Sequence, residues 1–173
     1  MEKACVHIYC GNGKGKTTAS VGLLTRASGA GKKCLLVQFL KTTPTAEIAS
    51  LEKLGVKCMR AESKIKKFIF AMNDEEKKQY AAEQSALFAQ ACEEAKQQYD
   101  LIVMDEILDA VSLQLVSEDA LAEVLAEKGN TEIVLTGRAP SEKIAQYADY
   151  HTCMEPIKHP YSDGLCARKG IEF

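Results

Sequence analysis

Residues 11–18 read Gly11-Asn12-Gly13-Lys14-Gly15-Lys16-Thr17-Thr18. The mostly apolar residues 4–10 before them are typical of a β-strand, and residues 19–27 after them carry apolar side chains at helical spacing. A glycine-rich turn between a strand and a helix is the context of a phosphate-binding loop. Glycine tolerates positive φ, so the backbone can wrap closely and present N–H groups at a helix start to an anion. The stretch therefore predicts a phosphate-binding loop, in which Lys16 is a mobile cation and Thr17 supplies a hydroxyl for Mg²⁺.

The loop departs from its usual pattern at one position. A glycine normally stands five residues before Gly15, but here that position is Cys10 and the glycine is displaced to Gly11. The segment Gly15-Lys16-Thr17 is intact, and Gly11 and Gly13 still supply backbone freedom. The alternative interpretation, an ordinary glycine-rich turn, leaves unexplained why two lysines accompany three glycines at the start of a helix.

The composition indicates one domain and excludes several classes of partner. The 173 residues predict a single domain spanning residues 1–173 with a core of its own. A net charge of -2 gives no pull toward nucleic acid or an anionic membrane, and no apolar run approaches the ~18 residues of a membrane span. The first strand begins too early to leave room for a signal peptide. Seven cysteines without a CxxC pair favour a reducing cytoplasm over a zinc site or a disulfide framework, and most are expected to be small buried residues.

Apolar runs alternate with amphipathic segments along the chain. The predicted strands cover residues 4–10, 33–39, 56–60, 100–106, 131–136 and 150–154. The predicted helices cover residues 19–27, 46–54, 73–99, 107–115, 117–128 and 141–147. This alternation predicts a parallel sheet with right-handed crossovers. The expected fold is therefore a three-layer α/β P-loop NTPase fold of the RecA-like type, with about six mostly parallel strands and helices on both faces.

Polar residues follow two of the predicted strands. Asp105 and Glu106 end the strand of residues 100–106, and four apolar residues before an acidic one form the Walker B pattern that holds Mg²⁺. Because adjacent residues at a strand end point in different directions, we expect the two carboxylates to divide between metal coordination and a second role. Arg138 follows the strand of residues 131–136, which places it on the ligand side of an open α/β sheet. The alternative for Arg138 is a surface salt bridge.

Residues 61–72 are less regular and contain three lysines followed by Phe68-Ile69-Phe70. An extended backbone would point Phe68 and Phe70 in the same direction. Two interpretations stay open from the residues alone. The aromatics cap the core from a loop, or they form an apolar wall for a large ligand.

Several motifs beyond the loop together resemble the P-loop type of ATP:corrinoid adenosyltransferases, also called cob(I)yrinic acid a,c-diamide adenosyltransferases. They are Val37-Gln38-Phe39-Leu40-Lys41, Met104-Asp105-Glu106, Leu135-Thr136-Gly137-Arg138-Ala139-Pro140, Ala148-Asp149, Lys158-His159-Pro160 and Lys169-Gly170-Ile171-Glu172-Phe173. They occur in the family's order over nearly the whole chain. The displaced glycine at position 11 also resembles this family, although it is irregular for a generic P-loop.

The resemblance implies a reaction in adenosylcobalamin biosynthesis or salvage. A reduced Co(I) corrinoid attacks the 5′ carbon of ATP, the adenosyl group moves to cobalt, and tripolyphosphate leaves. Members of this family place ATP in the loop in an orientation reversed relative to most P-loop enzymes.

The resemblance also implies roles for individual residues. The triphosphate is held by Gly11, Asn12, Gly13, Lys14, Gly15, Lys16, Thr17 and Thr18. A Mg²⁺ or Mn²⁺ ion is held by Thr17, Asp105 and Glu106, and the catalytic residues are Lys16, Glu106 and Arg138. Phe68 and Phe70 lie beneath the corrin, where they exclude the lower axial ligand of cobalt and ease its reduction to Co(I). Relatives often have tryptophan at the position of Phe70. The resemblance further implies a homodimer and a flavoprotein reductase as electron donor.

Two other functions are compatible with the nucleotide motifs alone. A P-loop kinase or ATPase acting on an unidentified small molecule would form ADP or free phosphate. A nucleotide-gated regulatory protein would bind nucleotide and a partner without turnover.

Overall fold

Six parallel β-strands form the centre of the molecule, as seen in a computed structural model that describes residues 3–41, 45–65, 67, 69–160 and 164–172. The strands are β1 Val6–Cys10, β2 Cys34–Gln38, β3 Lys57–Arg60, β4 Leu101–Asp105, β5 Glu132–Thr136 and β6 Tyr150–Cys153. Their order across the sheet is β3-β2-β4-β5-β1-β6. Every neighbouring pair is parallel, whereas the sequence predicted a mostly parallel sheet.

Helices cover both faces of the sheet. They are α1 Lys16–Gly29, α2 Ala46–Lys53, α3 Asp74–Ala95, α4 Ile107–Ser112, α5 Glu118–Ala126 and α6 Glu142–Ala145. Side chains alternate along each strand, so that Leu36 of β2 packs with Leu24 of α1 on one face. Val37 packs on the other face, in a cluster with residues of α3, α4, α5 and α6. The predicted three-layer arrangement is confirmed.

The central strands are apolar except at their carboxyl ends, because helices cover both of their faces. All five residues of β2 and all five of β4 are buried, as expected for parallel strands inside an α/β domain. The two buried polar side chains of these strands, Gln38 and Asp105, lie at their carboxyl ends. The buried polar side chains of the central strands therefore lie at the carboxyl edge of the sheet.

The structure corrects three expectations from the sequence. Residues Ile69–Ala71 form a 3-10 turn, so the side chains do not alternate there as in an extended segment. Helix α3 ends at Ala95, earlier than the predicted residue 99. Of the seven cysteines, all unpaired, only Cys10 and Cys34 are fully buried.

Within the described ranges no helix combines the length and apolar character needed to cross a membrane.

Candidate functional site

The phosphate-binding loop is closed by hydrogen bonds from its own backbone. Gly11 donates its N–H to the carbonyl of Arg138 at 2.7 Å, and Gly13 donates to the carbonyl of Met154 at 2.7 Å. The ammonium of Lys16 turns back onto the loop and donates to the carbonyls of Gly11 and Gly13 at 2.7 and 2.8 Å. The loop is thus tied to the segments that follow β5 and β6, and Lys16 spans its interior.

The first two glycines are required by packing against the chain that leaves β6. A Cβ on Gly11 would lie 2.3 Å from the carbonyl oxygen of Met154, and φ at Gly11 is +102°. A Cβ on Gly13 would lie 2.7 Å from the same oxygen. The N–H groups of both glycines are used within the protein, so the expected anion contacts of the loop fall to its other N–H groups. The first turn of α1 also begins with N–H groups that lack an intrahelical acceptor, and within the described part of the chain no side chain caps this helix.

The other polar side chains of the loop lie at the surface. Asn12, Lys14 and Thr18 are all exposed. Lys14 donates to the carboxylate of Glu172 at 2.9 Å. Hydrogen bonds from Arg168 and from Lys14 lower the pKa of Glu172 to about 2. The tail of the chain therefore carries a carboxylate that neutralises one lysine of the loop.

Asp105, at the end of β4, connects three strands and the loop. It is fully buried, and its Oδ1 accepts hydrogen bonds from the hydroxyls of Thr17 at 2.8 Å and Thr136 at 2.7 Å. Its Oδ2 lies 3.4 Å from the side-chain amide of Gln38, which also donates to Glu47 at 2.9 Å. The predicted metal residues Thr17 and Asp105 are therefore in direct contact.

Glu106 follows Asp105 directly, and both carboxylates lie near the ammonium of Lys41. Glu106 has φ +60° and is the N-cap of α4, and its N–H donates to the hydroxyl of Thr136 at 2.8 Å. Its carboxylate accepts a short hydrogen bond from the ammonium of Lys41. Burial raises the pKa of Glu106 above its ordinary value, although the charge of Lys41 acts in the opposite direction.

The sequence did not identify Gln38, Lys41 and Thr136 as site residues, although all three stand in quoted motifs. The signal that could have revealed Gln38 and Thr136 is a polar residue at the carboxyl end of a strand that is otherwise apolar. Lys41 follows β2 by three residues at the same edge of the sheet, and nothing in the local pattern distinguishes it from a surface lysine. Its neighbours come from β4 and are set by the fold.

Arg138 lies beside the loop through its backbone, and its side chain extends outward. The side chain is 79% exposed, and its Nε is 3.9 Å from a carboxylate oxygen of Asp109. Asp109 also accepts the backbone N–H of Arg138 at 2.9 Å. The surface ion pair of the alternative interpretation is therefore present, and a role of Arg138 towards a ligand stays a prediction.

The aromatic segment is only partly described. Phe68 lies outside the described residues. Phe70 is 82% exposed, whereas Ile69 beside it packs against a small core cluster that includes Met72. The exposure of Phe70 speaks against a core-capping role for that ring, and the interpretation of Phe68 stays a prediction.

The acidic edge fits a hard divalent cation that is shared with a ligand. Thr17, Asp105 and Glu106 offer only oxygen donors, which suit Mg²⁺ or Mn²⁺. Among the residues that the structure describes, no three or more His, Cys, Asp or Glu side chains are grouped so as to hold a metal alone. Mg²⁺ at phosphate sites commonly takes one or two carboxylates and completes its shell with water and substrate oxygens.

Comparison with known proteins gives one matching family model and several similar proteins. A family model described as ATP:corrinoid adenosyltransferase BtuR/CobO/CobP matches residues 2–173. A corrinoid adenosyltransferase of Escherichia coli (strain K12) is 30% identical over 175 residues, which cover 99% of this chain and 87% of that protein. Corrinoid adenosyltransferase CobA of Salmonella typhimurium is 31% identical over 175 residues, with 99% and 87% covered. A corrinoid adenosyltransferase of a Sinorhizobium species is 31% identical over 180 residues, with 99% and 81% covered.

Proposed function

The chain belongs to the ATP:corrinoid adenosyltransferases of the BtuR/CobO/CobP family, and from this premise we propose how its residues act. The enzyme transfers the adenosyl group of ATP to a corrinoid in cobalamin metabolism. The observation that carries the assignment of the site is the 2.8 Å hydrogen bond between Thr17 and Asp105. It joins the phosphate-binding loop to the acidic strand end beside the uncapped start of α1.

The triphosphate of ATP lies against the first turn of α1. Negative charge builds up on the triphosphate as it leaves the 5′ carbon, so fixed N–H dipoles and Lys16 stabilise the transition state more than bound ATP. Lys16 is held by two loop carbonyls in the free protein and exchanges them for phosphate oxygens. The loop therefore provides a preorganised acceptor for the leaving group.

The cobalt atom of the substrate supplies the electrons. Co(I) of the corrinoid donates an electron pair to the 5′ carbon, the bond from this carbon to the triphosphate oxygen breaks, and tripolyphosphate leaves with that bonding pair. Cobalt ends in the alkylated Co(III) state. No phosphoryl group is transferred, and the phosphate-binding parts serve only to hold and release the leaving group.

Thr17, Asp105 and Glu106 hold a Mg²⁺ or Mn²⁺ ion in this proposal. When bound, the ion neutralises charge on the departing tripolyphosphate. Thr136 and Gln38 orient Asp105 by hydrogen bonds at 2.7 and 3.4 Å. Arg138, at the rim of the same edge, is positioned to contact a substrate without a large backbone change.

In this proposal Phe70 presents apolar surface beneath the corrin, and the family resemblance gives Phe68 the same role. Such a surface excludes the lower axial ligand, and four-coordinate cobalt is more easily reduced to Co(I). The high exposure of Phe70 supports this role, since an 82% exposed aromatic side chain has apolar surface to offer. A flavoprotein that supplies the electron and a homodimeric assembly complete the proposal.

The test is a product analysis with the purified protein, ATP, Mg²⁺ and chemically reduced cob(I)alamin. We expect a cobalt–carbon bond, detected by its light-sensitive absorbance, and tripolyphosphate in equal amount. ADP or free phosphate as the only product would instead indicate a kinase or ATPase. Nucleotide binding without any product would indicate a regulatory protein.

A further inference from the structure

A lysine ammonium already stands at the carboxylates that are proposed to hold the metal. The Nζ of Lys41 contacts Glu106 and lies 3.8 Å from Oδ2 of Asp105. The Lys41 side chain is 22% exposed and the Asp105 side chain is fully buried. Two neighbouring carboxylates, one of them without solvent, need a nearby positive charge. In the free protein Lys41 supplies that charge.

A divalent cation and this ammonium compete for the same carboxylates. The Nζ of Lys41 contacts Glu106 and is 3.8 Å from Oδ2 of Asp105, so its compact positive charge stands within ion-pair distance of both carboxylates. A divalent cation placed on Asp105 and Glu106 would therefore meet a fixed positive charge at short range. Metal binding requires the ammonium to move.

A polyphosphate offers the ammonium a new partner. Lys41 lies at the carboxyl edge of the sheet, and its contact Asp105 is hydrogen-bonded to Thr17 in the first turn of α1. Lysine carries a compact charge on a flexible four-carbon stem, so a short swing can bring Nζ to a triphosphate held at that turn. The same swing clears the carboxylates.

We propose that Lys41 is an exchangeable counter-ion that pairs with Asp105 and Glu106 in the free enzyme and moves to the polyphosphate when the divalent cation enters. The inference rests on the proposed function, because it takes Asp105 and Glu106 as metal ligands. Its consequence is coupling: the metal binds weakly without nucleotide, and metal and nucleotide favour each other's binding by the same factor.

The first experiment measures Mn²⁺ binding by electron paramagnetic resonance at pH 8 without nucleotide. We expect Lys41→Met to bind Mn²⁺ about tenfold more tightly than the wild type, a typical size for such coupling. Lys41→Arg keeps the charge and should match the wild type. Adding Glu106→Gln to Lys41→Met should abolish the gain, which locates the ion. Lys41→Gln is a second neutral variant if Lys41→Met does not fold.

The second experiment measures the affinity for ATP in excess Mg²⁺ by calorimetry. Lys41→Met should bind about tenfold more weakly than Lys41→Arg, because only the arginine can follow the polyphosphate. Equal Mn²⁺ affinities of wild type and both neutral variants would overturn the inference. A gain in Mn²⁺ affinity with unchanged ATP affinity would overturn the movement to the polyphosphate.

Failure of this inference can be told apart from failure of the proposed function. If Lys41 has no such role, the Mn²⁺ affinities coincide while the wild type still forms alkylated cobalamin and tripolyphosphate. If the function is wrong, those products are absent whatever the Mn²⁺ affinities are.

Discussion

The hydroxyl of Thr136 makes hydrogen bonds to both Asp105 and Glu106. It donates to Asp105 at 2.7 Å and accepts the backbone N–H of Glu106 at 2.8 Å. The bond to Asp105 is buried and the bond from Glu106 is partly buried, so water can replace them only in part. A side chain that only follows a buried strand in the sequence therefore fixes the positions of two proposed metal ligands.

Replacing Thr136 with valine should destabilise the protein while leaving its shape unchanged. The variant keeps the volume but leaves the Asp105 carboxylate and the Glu106 N–H each short of a partner, which costs about 1–3 kcal/mol of unfolding free energy. Urea titration measures this loss. The control Thr152→Val replaces an exposed threonine of β6 and should change stability by less than about 0.5 kcal/mol. Equal midpoints for the two variants would contradict the role of Thr136.

Lys16→Ala should lose adenosyl transfer with little change in stability. The ammonium is expected to stabilise the leaving tripolyphosphate, and removing one such donor typically lowers the rate by roughly 10²–10³-fold. The rate of cobalt alkylation with preformed cob(I)alamin measures the effect. Lys32→Ala removes an exposed lysine beyond α1 and is the matched control. Near-normal turnover in Lys16→Ala would exclude the loop from the proposed role.

At the scale of single residues, candidate site residues could be predicted from the sequence where they belong to a known motif. Strand geometry predicted different directions for the side chains of Asp105 and Glu106, and the division of their roles between metal coordination and a second function stays a prediction. The left-handed φ of +60° at Glu106 could not be foreseen, because that conformation is unusual for a glutamate and depends on the adjacent start of α4. The contact of Lys41 with Glu106 also depends on two strands becoming neighbours.

At the scale of elements, the loop between β1 and α1 packs closely against the residue that follows β6. Met154, directly after β6, accepts the N–H of Gly13, and its own N–H donates to Cys10 at 2.8 Å. The glycines predicted from the motif are thus confirmed as backbone requirements, with a reason that the motif did not contain. The motif describes how the loop binds a ligand. The contacts of the loop with the rest of the protein depend on residues about 140 positions away, which the parallel pairing of β1 and β6 brings close.

Gly11→Ala and Gly22→Ala form a matched pair that separates close packing from helix propensity. An alanine Cβ at Gly11 would meet the Met154 carbonyl at 2.3 Å with φ at +102°, so we expect a loss of both stability and ATP affinity. Gly22 lies within α1 and has no atom within 4 Å of a Cβ. Its replacement should raise the unfolding free energy by about 0.5–1 kcal/mol. Unfolding and ATP titrations measure both, and a stable Gly11→Ala protein with normal ATP affinity would refute the packing argument.

Element types were predictable where burial is continuous. Strands β2 and β4 were foreseen from unbroken apolar runs, which parallel strands covered by helices require. The 3-10 turn Ile69–Ala71 was not foreseen, because its conformation follows from anchoring Ile69 and Met72 in a small core cluster rather than from an alternating pattern. A short aromatic run gives no local signal that distinguishes a 3-10 turn from an extended segment.

At the scale of the whole molecule, Asp149 joins the first strand to the last. Its carboxylate accepts the N–H of Val6 in β1 at 2.9 Å and pairs with Lys3, and it precedes β6 directly. The hydrogen bond from Lys3, followed by that from Val6, lowers the pKa of Asp149 below its ordinary value. A carboxyl group with a lowered pKa in the folded state stabilises the protein above its unfolded-state pKa and loses this contribution as the pH falls.

Asp149→Asn should therefore be less stable than the wild type at pH 6, and the difference should shrink as the pH falls below about 4, near the ordinary pKa of aspartate. Urea unfolding of both proteins at pH 6 and pH 3 measures the change. A difference that is constant or grows on acidification would show that Asp149 does not act through its charge.

Replacing Phe70 should affect the two cobalt states of the corrinoid substrate differently. If the exposed ring shields the lower face of the corrin, Phe70→Ala should slow the reduction of Co(II) to Co(I) more than the alkylation of preformed Co(I). Two assays, one starting from each cobalt state, measure the split. Phe70→Trp keeps an aromatic side chain at this position and is the matched control. Equal losses in both assays would reject the lower-face role.

The position of β1 between β5 and β6 has a consequence for biosynthesis. The strand that leads into the phosphate-binding loop emerges first from the ribosome, yet both of its partners lie in residues 132–153. Pairing between segments so distant along the chain is slow to form and leaves hydrogen-bonding edges open in the meantime. A nascent chain stalled before β5 should therefore be unable to retain nucleotide and should depend on chaperones until translation passes β6.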